Sequence, residues 1–520
     1  MLKFKQGISR RQRMLFPPSI VEYLSKNHLA KLVLEIVQML DLSKIEKDYS
    51  EEGQWAYSPT ILLSILFYSY SIGIRSSRKI ARACEERVDF MYLAAKTTPS
   101  YKTISEFRRK QLDNIKQLFK DIVRIGIELD LVKIGNIKVS IDGTKIRANA
   151  ASKKTKDEKG LKKLLEEIDK EIDNILEEAE TIDREEDEEY GDKRGDELPK
   201  GLGKLETRKK KIKEAIEVLK EEKAMMQKEI IEEKGSLNAR EKKKISNMKI
   251  NLTDRDAKYM KERQGVIKTN YNAQISVDEE EQFIVANDIS TNAADWNQLI
   301  PLTEQTQNNV DGEIKEIKGD SGYHTQDNLE YLEKEAKNGE LGKYLIDDPN
   351  KKKVYNEKYK FDKINFKYDK ERDVYICPNG KILEFFKSRK KRGKDMRVYK
   401  CYGCDGCKYQ GECTRGRYRM IYRRVGEEIV ERNREKMLKQ ENWESYKKRM
   451  HTAEPPFGNI KFNLGYRQFL LKGKEKAGGE FNLMCIGHNL QKIGKSVKKK
   501  ATSVSEAISI TAKSPQLSPV

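Results

Sequence analysis

The sequence predicts an α/β core with an all-α N-terminal region, a helical-hairpin insertion and a small cysteine-rich insertion. Three observations lead there. Apolar residues recur at spacings of three and four through the first 130 residues. Short β-branched runs then alternate with helical patterns across 138–347. Two blocks of different composition interrupt those runs. One is heptad-like and nearly charge-balanced; the other is basic and holds five of the seven cysteines.

Taken in order, residues 1–18 read as a loose basic lead closed by Pro17-Pro18. Ile20, Leu24, Leu29, Leu32, Val33, Ile36, Val37 and Leu40 form a stripe that predicts helix from 19 to about 49. Ser58-Pro59 opens another, with serine as N-cap and proline at the first helical position. Ser76 or Ser77 can cap the next, and Thr103, Ile104, Phe107, Leu112, Ile115 and Phe119 pattern a further one. Short helices with tight turns and arginines at 75, 78, 82, 108 and 109 suggest a helix-turn-helix-type DNA-binding unit over 1–130. Arg108 and Arg109 are its candidate contacts. An ordinary helical bundle with a solvated basic face is the alternative.

The stretch KVSIDGTKIRANA (138–150) reads as a strand with Asp142 and Gly143 in its middle. Asp-Gly is also a strong hairpin signal, so a turn here is the competing reading. Residues 151–250 follow as an insertion. Leu161, Leu165, Ile168, Ile172, Ile175 and Ala179, then Ile212, Ile216, Leu219, Met226 and Ile230, keep a coiled-coil-like rhythm on either side of an acidic, glycine-bearing linker. NAQISV (272–277) and FIVANDIS (283–290) are strands, a helix spans 296–310, a short strand leads into GDSGYH (319–324), and KYLID (343–347) is another strand. The core is therefore expected over 131–150, 251–347 and 431–497, with a basic Cys-rich insertion at 348–430 and a disordered tail at 498–520.

Net charge is +20, which suggests a polyanionic partner. Residues 351–450 hold 31 Lys and Arg against 15 Asp and Glu, a net +16, so most of the excess is in one block. No signal-peptide pattern opens the sequence, and the apolar stretch 61–74 is too short to span a bilayer. The expectation is a reducing, cytoplasmic, nucleoid-associated setting without a membrane partner.

Asp320 ends a strand-like run and precedes Ser321-Gly322, much as Asp142 precedes Gly143. If the two strands are neighbours, their carboxylates meet, and such a pair suits Mg²⁺ or Mn²⁺. Glu454, before Pro455-Pro456, is the third acid chosen, held at a proline kink. Three carboxylates can hold two ions for phosphodiester chemistry. Asp254 and Asp256 rival the first acid, Asp288 and Asp295 the second, and Glu441 and Glu444 the third, and spacing does not exclude them. Cys401, Cys404, Cys407 and Cys413, with Cys377 upstream, have the spacing of a structural Zn²⁺ site. Five thiols leave one spare, with Cys401, Cys404 and Cys407 the first choice.

VSIDGTKIRANA, TDRDAKYMKERQGVIKTNYNAQISVD, GDSGYH and AEPPFGNIKFNLGYRQFLLKG, in this order, resemble the DDE transposases of bacterial insertion sequences. The branch with a helical insertion after the first Asp and a cysteine cluster before the Glu fits best. The resemblance implies a ribonuclease-H-like core and assigns metal binding to Asp142, Asp320 and Glu454. It adds Lys461 as a catalytic, phosphate-gripping residue and Tyr446 and Arg449 as DNA-binding companions, with Lys145 and Arg147 under the DNA path. Arg449 precedes Glu454 by five residues, where four would align them on one helix. The implied reaction is two-metal cleavage at transposon ends and joining of the 3′-hydroxyl to target double-stranded DNA, by a homo-oligomer on DNA. A ribonuclease-H-like nuclease without strand transfer, and a catalytically silent domesticated DNA-binding protein, are the alternatives.

Overall fold

Six strands build the central sheet: β1 (Ile137–Arg147), β2 (Lys258–Lys261), β3 (Ile267–Asp278), β4 (Ile284–Ser290), β5 (Ile314–Gly319) and β6 (Leu341–Ile346). The computed structural model describes residues 19–49, 55–190, 202–262, 265–391, 394–500 and 503–513. β1 lies at the centre, antiparallel to β3 and parallel to β5. β6 runs parallel to β5, while β2 and β4 flank β3 antiparallel. The order is β4-β3-β1-β5-β6, with β2 beside the opening of β3. The crossover between β4 and β5 is the helix Leu299–Val310, and that between β5 and β6 is the helix Gln326–Asn338.

Asp142-Gly143 is not a turn. Asp142 pairs with Ile275 and Gly143 with Gln274, inside an unbroken register from Val139 to Arg147. A hairpin would pair the two halves of this segment with each other; β3 offers both halves a longer partner.

The N-terminal region is helical, as expected, but more finely divided. A 3₁₀ turn (Ile20–Tyr23) and helices Leu29–Met39 and Ser43–Glu46 replace the single first helix. Pro59–Ser71 begins as predicted, the Ser58 hydroxyl accepting the Thr60 N–H at 3.2 Å. Helices Ser77–Glu86, Val88–Leu93, Tyr101–Lys110 and Leu112–Glu128 follow. These helices are not a separate module. Their apolar faces share one continuous core with the sheet, and the long helix Lys474–Lys500 lies within that core, buried around most of its girth between Ala477 and Val497.

The insertion is a pair of long helices, Glu158–Tyr190 and Leu202–Lys234, standing on a two-stranded ribbon of Thr155–Asp157 and Lys249–Asn251. The buried stripe is its lower half: Leu161, Ile168, Ile212, Ala215, Ile216 and Leu219, closed by Ile250. Lys223, which interrupts the apolar rhythm, is paired with Glu158 at 2.8 Å. The linker expected over 181–204 is shorter, since the first helix continues to Tyr190 and the second begins at Leu202; residues 191–201 lie outside the described residues.

The basic block forms its own five-stranded antiparallel sheet, from Lys367–Asp369 to Met420–Arg424, over a small core of Phe366, Tyr375, Leu383, Tyr399, Cys401, Cys404 and Ile421.

Two further expectations are corrected. Helix Gln440–Gly458 runs straight through Pro455 and Pro456 and ends in a π-helical turn, Asn459–Asn463. Proline at 455 has no N–H for the carbonyl of His451. The Gln282 amide donates to that carbonyl at 2.9 Å instead, which keeps the helix intact. The tail is not wholly irregular: Val504–Lys513 is a helix whose first turn is held by Glu35, which accepts the Val504 and Ser505 N–H groups at 2.9 and 2.8 Å. Among the described residues, no helix is long and apolar enough to cross a membrane.

Candidate active site

The parallel pairing of β1 with β5 matches Ser140 with Lys318. Two residues further along each strand stand Asp142 and Asp320, so the register brings the two predicted acids side by side. Asp320 leaves β5 at its carboxyl end and accepts the Gly322 N–H at 2.8 Å. Burial pushes both carboxyls up; Arg449 opposes the shift in each, and the charge of Asp320 adds to it at Asp142.

Arg449 comes from the Gln440–Gly458 helix, and its Nη1 stands 3.3 Å from Asp142 Oδ1. Its ring neighbour Tyr446 is buried, stacked on Trp443 with centroids 5.2 Å apart. Burial first, with nearby Asp347 adding to it, holds the Tyr446 hydroxyl up at about 12. Tyr446 therefore supports Arg449 from inside and is not exposed to a DNA groove, a correction to its expected role. The five-residue spacing is also explained. Five residues turn an α-helix by about 140°, so Arg449 faces β1 while Glu454 faces outward. Glu454 is exposed. Lys461, on the π-helical turn, returns to β1, donating to Thr144 Oγ1 at 2.5 Å and to the Lys145 carbonyl at 2.8 Å. Glu454 thus lies along the helix between two side chains that both touch the β1 segment 142–145.

A third carboxylate near the pair is Asp295, one of the rival acids. It accepts from Asn272 and Gln274 at 2.6 Å each and stands 3.5 Å from Lys145 Nζ. Its charge contributes to the raised carboxyl of Asp320. Gly143 leaves room for this layer: a Cβ would lie 2.2 Å from Gln274 Nε2 and 2.7 Å from Asp295 Oδ1, and those side chains would have to shift. A signal for this layer was present in the sequence. Asn270, Asn272, Gln274 and Ser276 recur at every second position of β3, and all are buried. A polar stripe on a buried strand face needs partners. Tyr323, also fully buried, donates to Gln274 and is held far above its usual range by burial and by the three aspartates.

Among the described residues, no three carboxylate, thiol or imidazole side chains stand grouped as a metal site. The acids present are a pair, Asp142 and Asp320, flanked by Asp295, with Glu454 at the rim.

The expected DNA contacts divide. Arg109 is exposed, as is Arg147, whose Nε is 3.6 Å from Glu262. Arg108 is buried at 5% exposure, donating to the Tyr70 hydroxyl at 3.1 Å and the Arg75 carbonyl at 2.8 Å. It is a packing residue, and its assignment to DNA is corrected. Lys145 is half-buried among Asp295, Asp320 and Asp142, and burial lowers its ammonium's pKa. A cavity of about 870 Å³ opens at the foot of the helical insertion, lined by Lys153, Lys154, Lys156, Lys204, Arg208 and Lys211 among others.

Residues 376–494 match the family model described as a transposase DDE domain, and residues 18–110 match one described as a transposase domain (DUF772). No curated protein and no solved structure matches the chain. The chain is thus similar to transposase domains in its helical N-terminal region and in its last third. The DDE-domain match contains the five clustered cysteines, Tyr446, Arg449, Glu454 and Lys461; Asp142 and Asp320 lie outside it.

Proposed function

We propose that the chain is a DNA transposase that cleaves phosphodiester bonds at transposon ends and joins the freed 3′-hydroxyl to target DNA. The observation that carries this reading is the pair of buried Asp142 on β1 and half-buried Asp320 at the end of the adjacent parallel strand β5, opposed by Arg449. The sheet order, with antiparallel strands on one side of β1 and parallel ones on the other, fits the ribonuclease-H-like core that the family resemblance implies. Both transposase-domain matches support the same class.

The donor set fits a hard divalent cation. Two carboxylates raised by burial and by neighbouring carboxylates (Asp320 at Asp142, Asp295 and Asp347 at Asp320), with the Arg449 guanidinium opposing both shifts, suit oxygen-preferring Mg²⁺ or Mn²⁺. Asp142 and Asp320 would hold it, with Glu454 completing the set by turning inward from its exposed position. When bound, two such ions provide Lewis-acid activation of the attacking oxygen and stabilisation of the leaving one. The chain's own residues orient the rest. Arg449 balances the charge of the acids, Lys461 fixes the helix to β1, and Lys145 offers a cation beside the acids to the scissile phosphate. The lysine- and arginine-lined cavity at the foot of the insertion supports a DNA path leading from the end of β1.

The test is a cleavage and joining assay with duplexes carrying the ends of the encoding element and Mg²⁺. Asp142→Asn, Asp320→Asn and Glu454→Gln are each expected to abolish strand cleavage while retaining end binding. Full cleavage by any of the three removes that residue from the site. Cleavage without joining by the unaltered protein favours the nuclease reading.

A further inference from the structure

The five clustered cysteines are absorbed neither by the strand chemistry above nor by the path of the DNA, and they belong to a block with little core of its own. Cys377, Cys401, Cys404, Cys407 and Cys413 line one cavity together with Phe361, Phe366 and Leu383. None is in a disulfide. Sequence distance does not separate them. Cys377 sits in a tight turn after the strand Val374–Ile376, its N–H donating to the Lys381 carbonyl at 2.8 Å. The other four follow the strand Lys394–Lys400, and the antiparallel sheet folds that stretch back onto the Cys377 turn.

Three of the sulfurs already accept hydrogen bonds from fixed N–H groups. Cys377 Sγ accepts from Lys381 N at 3.2 Å, Cys404 Sγ from Arg419 N at 3.5 Å, and Cys407 Sγ from Asn379 Nδ2 at 3.7 Å. Donors of this kind stabilise thiolate and recur around metal-bound sulfur. Cys413 lies beside the Arg419 guanidinium, and Cys377, Cys404 and Cys407 all act on it electrostatically. Cys401 differs. It is 2% exposed, packed into the apolar core with Tyr399 and Leu383, and hydrogen-bonded to Cys404. The hydrophobic cluster of this block, seven residues among those described, is small for a sheet of five strands, and small units of this kind are commonly held by a metal.

We propose that Cys377, Cys404, Cys407 and Cys413 form a structural Zn²⁺ site, with Cys401, packed into the apolar core, as the spare thiol. This differs from the choice that spacing alone favours, in which Cys401 is a ligand; the structure makes Cys401 the spare. The sulfurs surround the cavity without yet closing to coordination distance, so binding draws the Cys377 turn and the 404–413 segment together. Each ligating thiol gives its proton to solvent as its sulfur bonds to the ion, and Arg419 and Lys381 offset the resulting negative charge. The site is independent of the strand-cleavage reading and stands or falls by metal content.

The experiment uses the full chain purified under reducing conditions with zinc present. Elemental analysis is expected to give about one zinc per chain, and cobalt substitution a tetrahedral thiolate spectrum. Cys404→Ser and Cys407→Ser are expected to lose the metal, and Cys401→Ala to retain it. Alkylation of the unaltered protein provides a readout that needs no variant: Cys407 and Cys413 are protected with zinc and modified after chelation. A protein without stoichiometric zinc that gives no cobalt–thiolate spectrum overturns the site. Loss of metal from Cys401→Ala as complete as from Cys407→Ser overturns the ligand set.

Discussion

Arg108 and Arg109 are adjacent in sequence and opposite in role. Arg108 holds the Tyr70 hydroxyl and the Arg75 carbonyl inside the protein, while Arg109 is exposed, with only a long 3.9 Å contact to Glu106. Truncating Arg108 leaves those partners without their donor in a space closed to water. Arg108→Ala is expected to cost roughly 2–4 kcal/mol, read as a fall in thermal midpoint. Arg109→Ala is expected to leave the midpoint nearly unchanged and to weaken DNA binding. Equal stability of the two variants would refute the distinction. The difference was legible in part: Ile104, Arg108, Gln111 and Ile115 step by four, three and four, and all four are buried. Composition pointed to a basic face, and the period pointed to which arginine leaves it. The acid pair was legible for a better reason, since both aspartates sit where a strand meets glycine or leaves the sheet. The exposure of Glu454 was not legible in advance, because it depends on how a helix turns against a strand far away in sequence.

At the scale of elements, the insertion was the most legible part, since its apolar rhythm needs no partner from elsewhere in the chain. The proline-bearing helix was the least. Whether Pro455 breaks it depends on a glutamine from the turn before β4 reaching the His451 carbonyl, which no local pattern announces. The insertion's independence has a measurable consequence. It meets the core through the ribbon Thr155–Asp157 with Lys249–Asn251 and through ion pairs such as Arg255–Glu214 and Lys258–Glu222, at 2.7 and 2.8 Å. Such half-exposed pairs contribute about 1 kcal/mol or less each. Asp157 and Lys249 are directly opposite, so an Asn-Gly turn can join them once 158–248 are removed. The shortened protein is expected to keep its thermal midpoint within roughly 3 °C. Loss of Lys204, Arg208 and Lys211 from the basic cavity is expected to flatten the log–log salt dependence of DNA binding by roughly 2–3. An unfolded core, or an unchanged slope, would count against this division of labour.

For the whole molecule, the N-terminal helices, the sheet and the helix Lys474–Lys500 form one cooperative body rather than a DNA-binding module tethered to a catalytic one. Glu480, fully buried on that long helix, accepts the Leu470 and Leu471 N–H groups at 2.8 and 2.9 Å and faces Arg75 at 3.5 Å. Tyr466 donates to the Tyr70 carbonyl at 2.7 Å, and Asn489 bonds both the N–H and the carbonyl of Ile284 on β4. One helix is therefore bonded to the sheet and packed on the N-terminal bundle along the same length. At Gly487 its backbone meets another backbone: a Cβ there would stand 2.7 Å from the Tyr70 carbonyl oxygen, an atom that cannot turn aside. Gly487→Val must push the Pro59–Ser71 helix away from the long helix, at a cost of about 3 kcal/mol or more. If the two regions were separate domains, only the N-terminal helices would loosen. Because they share one core, the substitution is expected to lower a single unfolding transition. Hydrogen exchange is then expected to rise together in Pro59–Ser71, in β4 and in β1, where Asp142 stands. Two calorimetric transitions, with exchange in β1 unaffected, would show that the long helix does not couple the bundle to the acids.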